Sequence, residues 1–274
     1  MRLCVGCSVL LMVSMTRGFA SFERHAEDPR LEGMSGAGSA CVAQVWGSLT
    51  NPAGLAGQNH MVIALSVAPA PFELDELRRN TAAVVFPFPS FISSLTASKY
   101  GFDDYRELSL RVSCALQIIG RVQAGITAGY NRLAIQGYGS DDVLTVDAGL
   151  IWRVTDDFTL GSVVTNVNAP VIGLTGEEIP QSFSLAGTWI PSPGFLLALD
   201  LVKDPVFPPE VKFGIEYQPV EGFALRVGVA NQPSSYSAGF GVRFGGFGLD
   251  YAFSRHPDLG MTHRFGIMMA IDLE

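Results

Sequence analysis

From His60 to the end of the chain, apolar and polar residues alternate with a period of two. That period points successive side chains to opposite faces of a strand, so each segment carries one apolar and one polar face. In 105–118, Leu108, Leu110, Val112, Cys114, Leu116 and Ile118 oppose Glu107, Ser109, Arg111, Ser113 and Gln117. In 143–154, Leu144, Val146, Ala148, Leu150 and Trp152 oppose Thr145, Asp147, Gly149 and Arg153. The final segment sets Phe265, Ile267, Met269, Ile271 and Leu273 against Arg264, Gly266, Met268, Ala270 and Asp272.

About fourteen such segments occur, approximately at 60–68, 80–87, 91–100, 105–118, 121–133, 142–154, 157–166, 181–190, 194–202, 210–218, 222–230, 235–244, 246–254 and 261–273. Most approach the roughly 9–11 residues with which a tilted strand crosses a membrane. The second and third are interrupted by Phe86-Pro87-Phe88-Pro89. No run of about 18 uncharged apolar residues occurs in the body of the chain, which excludes a spanning helix.

The connections alternate in length. Gly120-Arg121, Thr155-Asp156, Pro191-Ser192-Pro193, Pro219-Val220-Glu221 and Gly245-Gly246 are tight. Longer links are predicted at Pro69–Arg79, Ile135–Asp141, Val167–Pro180, Lys203–Pro209, Asn231–Ser234 and Arg255–Gly260. Short turns at one end, loops at the other and an even strand number are the layout of an outer-membrane barrel. A soluble, secreted β-sandwich would alternate in the same way. It accounts less well for the strand count and the one-sided loops.

The N-terminus reads as a secretory leader. Arg2 precedes an apolar run from Leu3 to Met15, and Gly18-Phe19-Ala20 offers small residues for cleavage after Ala20. Removing Arg2 and Arg17 with it leaves 16 basic and 26 acidic residues, a net of −10. That balance argues against nucleic acid, which needs clustered Lys and Arg. Cys41 and Cys114 remain; they could form a bridge in an exported chain, but the alternation puts Cys114 on an outer wall and the reading of 33–57 as a hatch puts Cys41 inside, so both are read as small apolar residues.

Residues 23–32 are polar and read as a flexible lead-in. Gly33–Gly57 follows, with no Lys, Arg, Asp or Glu, and nearly half of it Gly or Ala. Ser35 is expected to cap a short helix through Ala43, and Asn51-Pro52 is a turn signal. So little bulk and charge suits a segment held where backbone approaches backbone. The domain expectation is a leader over 1–20, a lead-in and hatch over 21–59, and a barrel over 60–274. The hatch candidates are Gly33, Gly36, Gly38, Trp46, Asn51, Pro52 and Ala53, with Asn51, Pro52 and Ala53 inside the barrel near its short-turn end. The inward face carries Glu107, Arg111, Asp147, Arg153, Asp200, Lys212, Glu216, Arg226, Arg243, Asp250, Arg264 and Asp272. Barrels of eight strands fill with side chains, while 16–18 leave a channel. Fourteen lies between, so a lumen of mixed charge is expected to clamp the small-residue segment.

No Gly-x-Ser-x-Gly elbow, His-Glu-x-x-His pair or phosphate loop is present. His25, His60, His256 and His263 show no ligand spacing, so neither an enzyme, a metal nor a cofactor is expected. Asp103-Asp104, Asp141-Asp142 and Glu177-Glu178 read as solvated turn residues.

Asn51-Pro52-Ala53-Gly54-Leu55-Ala56, the stretch Gly248-Leu249-Asp250-Tyr251-Ala252-Phe253 and the terminal Leu259-Gly260-Met261-Thr262-His263-Arg264-Phe265 together resemble the PorV/PorQ family of FadL-like outer-membrane barrels. The resemblance implies an all-β, transmembrane antiparallel barrel of about fourteen strands with an N-terminal hatch in its lumen, placed in the bacterial outer membrane against lipid and lipopolysaccharide. FadL-like members pass hydrophobic molecules; PorV-like members partner a protein-secretion system. The first role is favoured here, with Phe72, Phe91 and Phe207 as apolar loop residues. This chain departs from the family in its short loops and in ending on Glu274 instead of an aromatic residue.

Overall fold

Strands with one apolar and one polar face leave no free edge only if the sheet closes on itself. The computed structural model of the chain, which describes residue 22 and residues 27–173, 176–205 and 207–272, shows that closure. The strands are β1 Met61–Ala68, β2 Arg79–Pro87, β3 Ile92–Gly101, β4 Tyr105–Ile119, β5 Val122–Ile135, β6 Gly139–Arg153 and β7 Phe158–Thr165. After a two-residue hairpin, β8 Val171–Ile172 and β9 Glu177–Glu178, come β10 Ser182–Ser192, β11 Phe195–Lys203, β12 Glu210–Val220, β13 Phe223–Asn231, β14 Ser234–Phe244, β15 Phe247–His256 and β16 Gly260–Ile271. Fourteen of them form one closed barrel, and β8–β9 pair separately. Neighbouring barrel strands are antiparallel, and β1 closes on β16 from Met61↔Ile271 to Val67↔Phe265.

The apolar face of each strand points outward. Val112, Leu144 and Val227 are 53, 66 and 52 % exposed. A sandwich would bury such residues against a second sheet, so this wall overturns the soluble alternative. A continuous apolar surface of this extent needs lipid. Cys114 lies half-buried on that wall and Cys41 is buried inside; both are free thiols.

Three bulges interrupt the register, between Gln117 and Ile119, between Trp189 and Ser192, and between Tyr217 and Val220. All lie at the short-turn rim. An extra residue there breaks the alternation, which is why Ile118 and Ile119 are both exposed.

The loop end is lower than predicted. Three of the expected long links shrink to 136–138, 232–233 and 257–259, because the flanking strands continue their ladders almost to the turn. Length at this end resides in 69–78, 166–181 and 204–209. Phe72 and Phe207 belong to it. Phe91 lies at the opposite end, beside the turn joining β2 and β3, where its ring stacks on Phe88 at 4.8 Å.

The lead-in also departs from expectation. The helix α1 spans Pro29–Glu32, earlier than the one predicted from Ser35. Asp28 caps it by accepting from the Arg30 amide at 2.8 Å, and Pro29 occupies its first turn. Ser35 adopts φ +53°, and its amide and hydroxyl meet Ser237 Oγ at 2.7 and 2.9 Å. Its hydroxyl is thus engaged with the wall and unavailable as a cap. Residues 27–32 are not a free lead-in: Glu27, Asp28 and Glu32 are buried. The predicted leader, residues 1–20, lies outside the described residues, as do Leu273 and Glu274.

Candidate functional site

Residues 27–57 run through the lumen, and the wall accommodates them with glycine. Strand positions facing the segment lack side chains where its backbone passes. A Cβ on Gly214 would stand 2.6 Å from Met34 Cβ, one on Gly161 would stand 2.9 Å from Ala40 Cα, and one on Gly266 would stand 2.6 Å from Pro29 Cγ. Gly125 faces the Pro52–Ala53 peptide, Gly149 faces the Asn51 side chain, and Gly228 faces the Met34–Ser35 peptide. Gly33 lies against Gly239 and Arg226. Gly228→Val is therefore expected to displace Met34 while leaving the β12–β13–β14 ladder intact. Faster proteolysis within 30–57 at an unchanged heat-modified gel shift would register this; a wild-type digestion pattern would contradict it.

Asn51 is fully buried. It caps the turn Pro52–Leu55 by accepting from the Ala53 amide at 3.1 Å. Its Nδ2 donates to the carbonyls of Ser39 (2.8 Å), Leu150 (3.3 Å) and Ser162 (3.3 Å). One side chain thus ties two parts of the segment to β6 and β7 near their short-turn ends. Gly38 and Ser39 donate their amides to the two carboxylate oxygens of Asp200 at 2.9 and 3.0 Å. Trp46 packs with Val45 and Leu55 against Val62, Ala83, Val85 and Ala115 of the wall. Gly36 borders the cavity at the loop end.

The polar face is organised as ion pairs. Arg30 donates Nε and Nη2 to the two oxygens of Glu216, both at 2.8 Å. Arg226 donates Nε to Glu216 at 2.6 Å and Nη1 to Asp250 at 2.7 Å. Arg243 completes the row, 2.7 Å from Asp250. Five alternating charges thus run from α1 across β12, β13, β15 and β14. Both carboxylates of this row have a cation on either side, which offsets the cost of burying their charge.

A second set faces the other side of α1. Glu32 meets Arg264 at 3.4 Å and accepts from Ser254 Oγ. Glu27 accepts from Arg79 at 2.8 Å and from Thr81 at 2.6 Å. Higher on the wall, Arg111 pairs with Asp147 at 3.1 Å, and Glu107 accepts from Tyr105 Oη at 2.6 Å and the Phe22 amide at 3.1 Å. Lys212 pairs with Glu210 at 3.2 Å at the loop-end mouth.

Two predicted inward charges are not in the lumen. Arg153 lies exposed at the end of β6, and Asp272 lies past β16, 87 % exposed and 2.6 Å from His60 Nδ1. Both have inward parity, but the strand ends before parity can bury them. Sequence reasoning missed Glu27, Arg30, Glu32 and Arg79. The signal available was Asp28-Pro29, a capped helix start inside a stretch otherwise read as solvated.

The segment divides the lumen. On its loop side, two adjoining cavities of about 510 and 530 Å³ share Gly36, Glu210, Lys212, Gln232, Pro233 and His256. Phe72 and Leu77 line the first, and Leu31, Leu49 and Phe207 the second. On the short-turn side lies a cavity of about 470 Å³, bordered by Arg30, Trp46, Glu216, Arg226 and Met268. Among the described residues, no three His, Cys, Asp or Glu side chains gather as a metal site.

No family model and no curated protein matches the chain. Among solved structures, the CymD monoaromatic hydrocarbon channel is similar with a TM-score of 0.68 at 15 % identity, covering 89 % of this chain and 97 % of that one. The Pseudomonas putida toluene transporter TodX reaches a TM-score of 0.67 at 12 % identity over 92 % of this chain and 100 % of its own. A Pseudomonas aeruginosa FadL homologue reaches 0.65 at 14 % identity over 90 % of this chain and 98 % of its own. The structural neighbours are thus FadL-like outer-membrane barrels, and the fold is theirs.

Proposed function

We propose that this protein is an outer-membrane channel for small hydrophobic molecules, with residues 27–57 as its hatch. The reading rests on one observation: a 14-stranded lumen holds a cavity on each side of the segment that crosses it. Leu31, Leu49 and Phe207 give the loop-side cavity apolar surface beside charged Lys212 and Glu210. A solute with an apolar body and little hydrogen-bonding demand fits such a lining. Transport of monoaromatic hydrocarbons, as the names of CymD and TodX state for those proteins, is the matching chemistry. The polar chains of lipopolysaccharide slow such solutes in the outer leaflet, which gives a passive route its use.

The test is uptake of a fluorescent aromatic probe into vesicles whose outer leaflet is lipopolysaccharide. Entry several-fold faster than in protein-free vesicles is expected, with no gain for a sugar of similar mass. Equal rates for every hydrophobic probe would remove the reading. The secretion role carried by PorV/PorQ-like barrels asks for a protein-binding loop face. That end offers three connections longer than three residues, 69–78, 166–181 and 204–209. A pull-down from native membranes that returned no protein partner would dispose of that role.

A further inference from the structure

The outer wall over β1–β5 departs from the rest of the lipid-facing surface. Antiparallel register aligns Leu65, Ala82, Ala97, Leu110 and Tyr130 in one outward-facing row. The two alanines leave a trough between Leu65 on one side and Leu110 and Tyr130 on the other, a groove of about 610 Å³. One outward row nearer the loop end, about 7 Å along the strands, the register aligns Asn80, Lys99 and Leu108, with Arg132 beyond them. At the next outward row stands Arg106, opposite Gly101, with Arg78 beside that glycine.

These cations differ from those in the lumen. Arg78, Lys99 and Arg106 have no carboxylate within 4.0 Å among the described residues, and Arg106 Nε is buried without a hydrogen-bond partner. Arg132 has a loose pair, 3.8 Å from Asp142. Asp103 and Asp104 lie in the turn beyond the row, on its far side from the groove. In a chain of net charge −8, three outward cations with no carboxylate partner among the described residues, Arg78 just before β2 with its Nε on the Pro69 carbonyl, Lys99 on β3 and Arg106 on β4, call for an anion from outside. Tyr130 marks their height. Tyrosines on the outer face of such barrels collect at the membrane interface, where lipid phosphates lie.

We infer that this face holds one phosphorylated glycolipid of the outer leaflet. An acyl chain lies in the Ala82–Ala97 trough, and a headgroup phosphate sits on Lys99 and Arg106. The inference rests on the outer-membrane reading and is independent of what passes through the lumen. Phosphate on guanidinium and ammonium is charge-assisted hydrogen bonding, and the trough supplies apolar burial continuous with it.

Native mass spectrometry of the detergent-purified barrel with added bisphosphorylated lipid A tests this. A one-to-one adduct is expected, retained at least tenfold better than dephosphorylated lipid A or phosphatidylethanolamine. Lys99→Gln with Arg106→Gln should abolish that preference, and Lys99→Arg should keep it. Ala97→Trp, which fills the trough and leaves the charges, should weaken retention at least fivefold. Heat modifiability identifies folded barrels in every sample. Equal retention of phosphorylated and dephosphorylated lipid, or variants that bind as wild type does, overturns the inference. So does a concentration-dependent dimer lost in Ala97→Trp, which would assign the face to a second copy. Aromatic-probe uptake measured on the same variants separates this outcome from failure of the transport reading.

Discussion

Deletion of residues 36–57 is expected to raise conductance in planar bilayers severalfold. The stretch fills the space between the loop-side cavities of about 510 and 530 Å³ and the short-turn cavity of about 470 Å³. With it gone, Asp200, which now accepts from the amides of Gly38 and Ser39, is left to water, as are the wall carbonyls that hold Asn51. The barrel has reason to survive. Its ladders are strand to strand, and β1 pairs with β16 from Met61 onward, beyond the deletion. The apolar patch on β1, β2 and β4 loses Trp46 and Leu55, so some stability is lost. Heat modifiability reports whether the barrel stands. If it does and conductance is unchanged, the hatch reading fails and the barrel reading does not.

The strands were legible because lipid outside and polar contents inside impose the same alternation at all fourteen. Predicted 105–118 is observed as 105–119, predicted 194–202 as 195–203, and predicted 80–87 as 79–87. The hairpin β8–β9 was not legible: strands of two residues have no period to read. Nor were the bulges, since Ile118-Ile119 looks like the end of an alternating run until its partner strand is known.

The contents of the lumen were legible in kind and not in pairing. A charge-free stretch of small residues announces close approach of backbones, and the wall answers with Gly125, Gly149, Gly161, Gly214, Gly228 and Gly266. Glycine on an inward face, however, looks the same whether it meets water or another chain segment. Charges in 27–32 misled for a related reason. Arg30 has its partner at Glu216, 186 residues away, and no local pattern reveals a salt bridge across a lumen. A polar stretch reads as solvated unless its counter-charges are already in view. The ends of strands misled in the opposite direction. Arg153 and Asp272 have the parity of inward residues, but parity carries no information about how deep in the barrel a residue sits.

Glu216→Ala should do the most damage of any single substitution to the seating of α1. Its carboxylate accepts from Arg30 twice at 2.8 Å and from Arg226 once at 2.6 Å. Among the described residues, removing it leaves Arg226, whose side chain is 3 % exposed, bonded to Asp250 alone, and leaves Arg30 with no carboxylate bonded to its guanidinium. Stranding a buried charge costs about 3–5 kcal/mol. Arg30 is 25 % exposed toward the short-turn cavity and recovers part of that from water, so about 3 kcal/mol is the expected loss. The loss falls on docking and not on the barrel, because the β11–β12 and β12–β13 ladders run through residue 216 by backbone bonds. The expected signature is trypsin cleavage after Arg30 and frequent opening events in single-channel records, at an unchanged gel shift. Glu216→Gln should fall between wild type and Glu216→Ala, since it keeps an acceptor and drops the charge. Combining Glu216→Ala with Arg30→Ala distinguishes a clamp from general loosening. In a clamp, the double variant costs less than the two single losses added together, because the first substitution has already broken the shared bonds. Strict additivity would show that Arg30 and Glu216 stabilise the lumen independently, and the clamp would have to be abandoned.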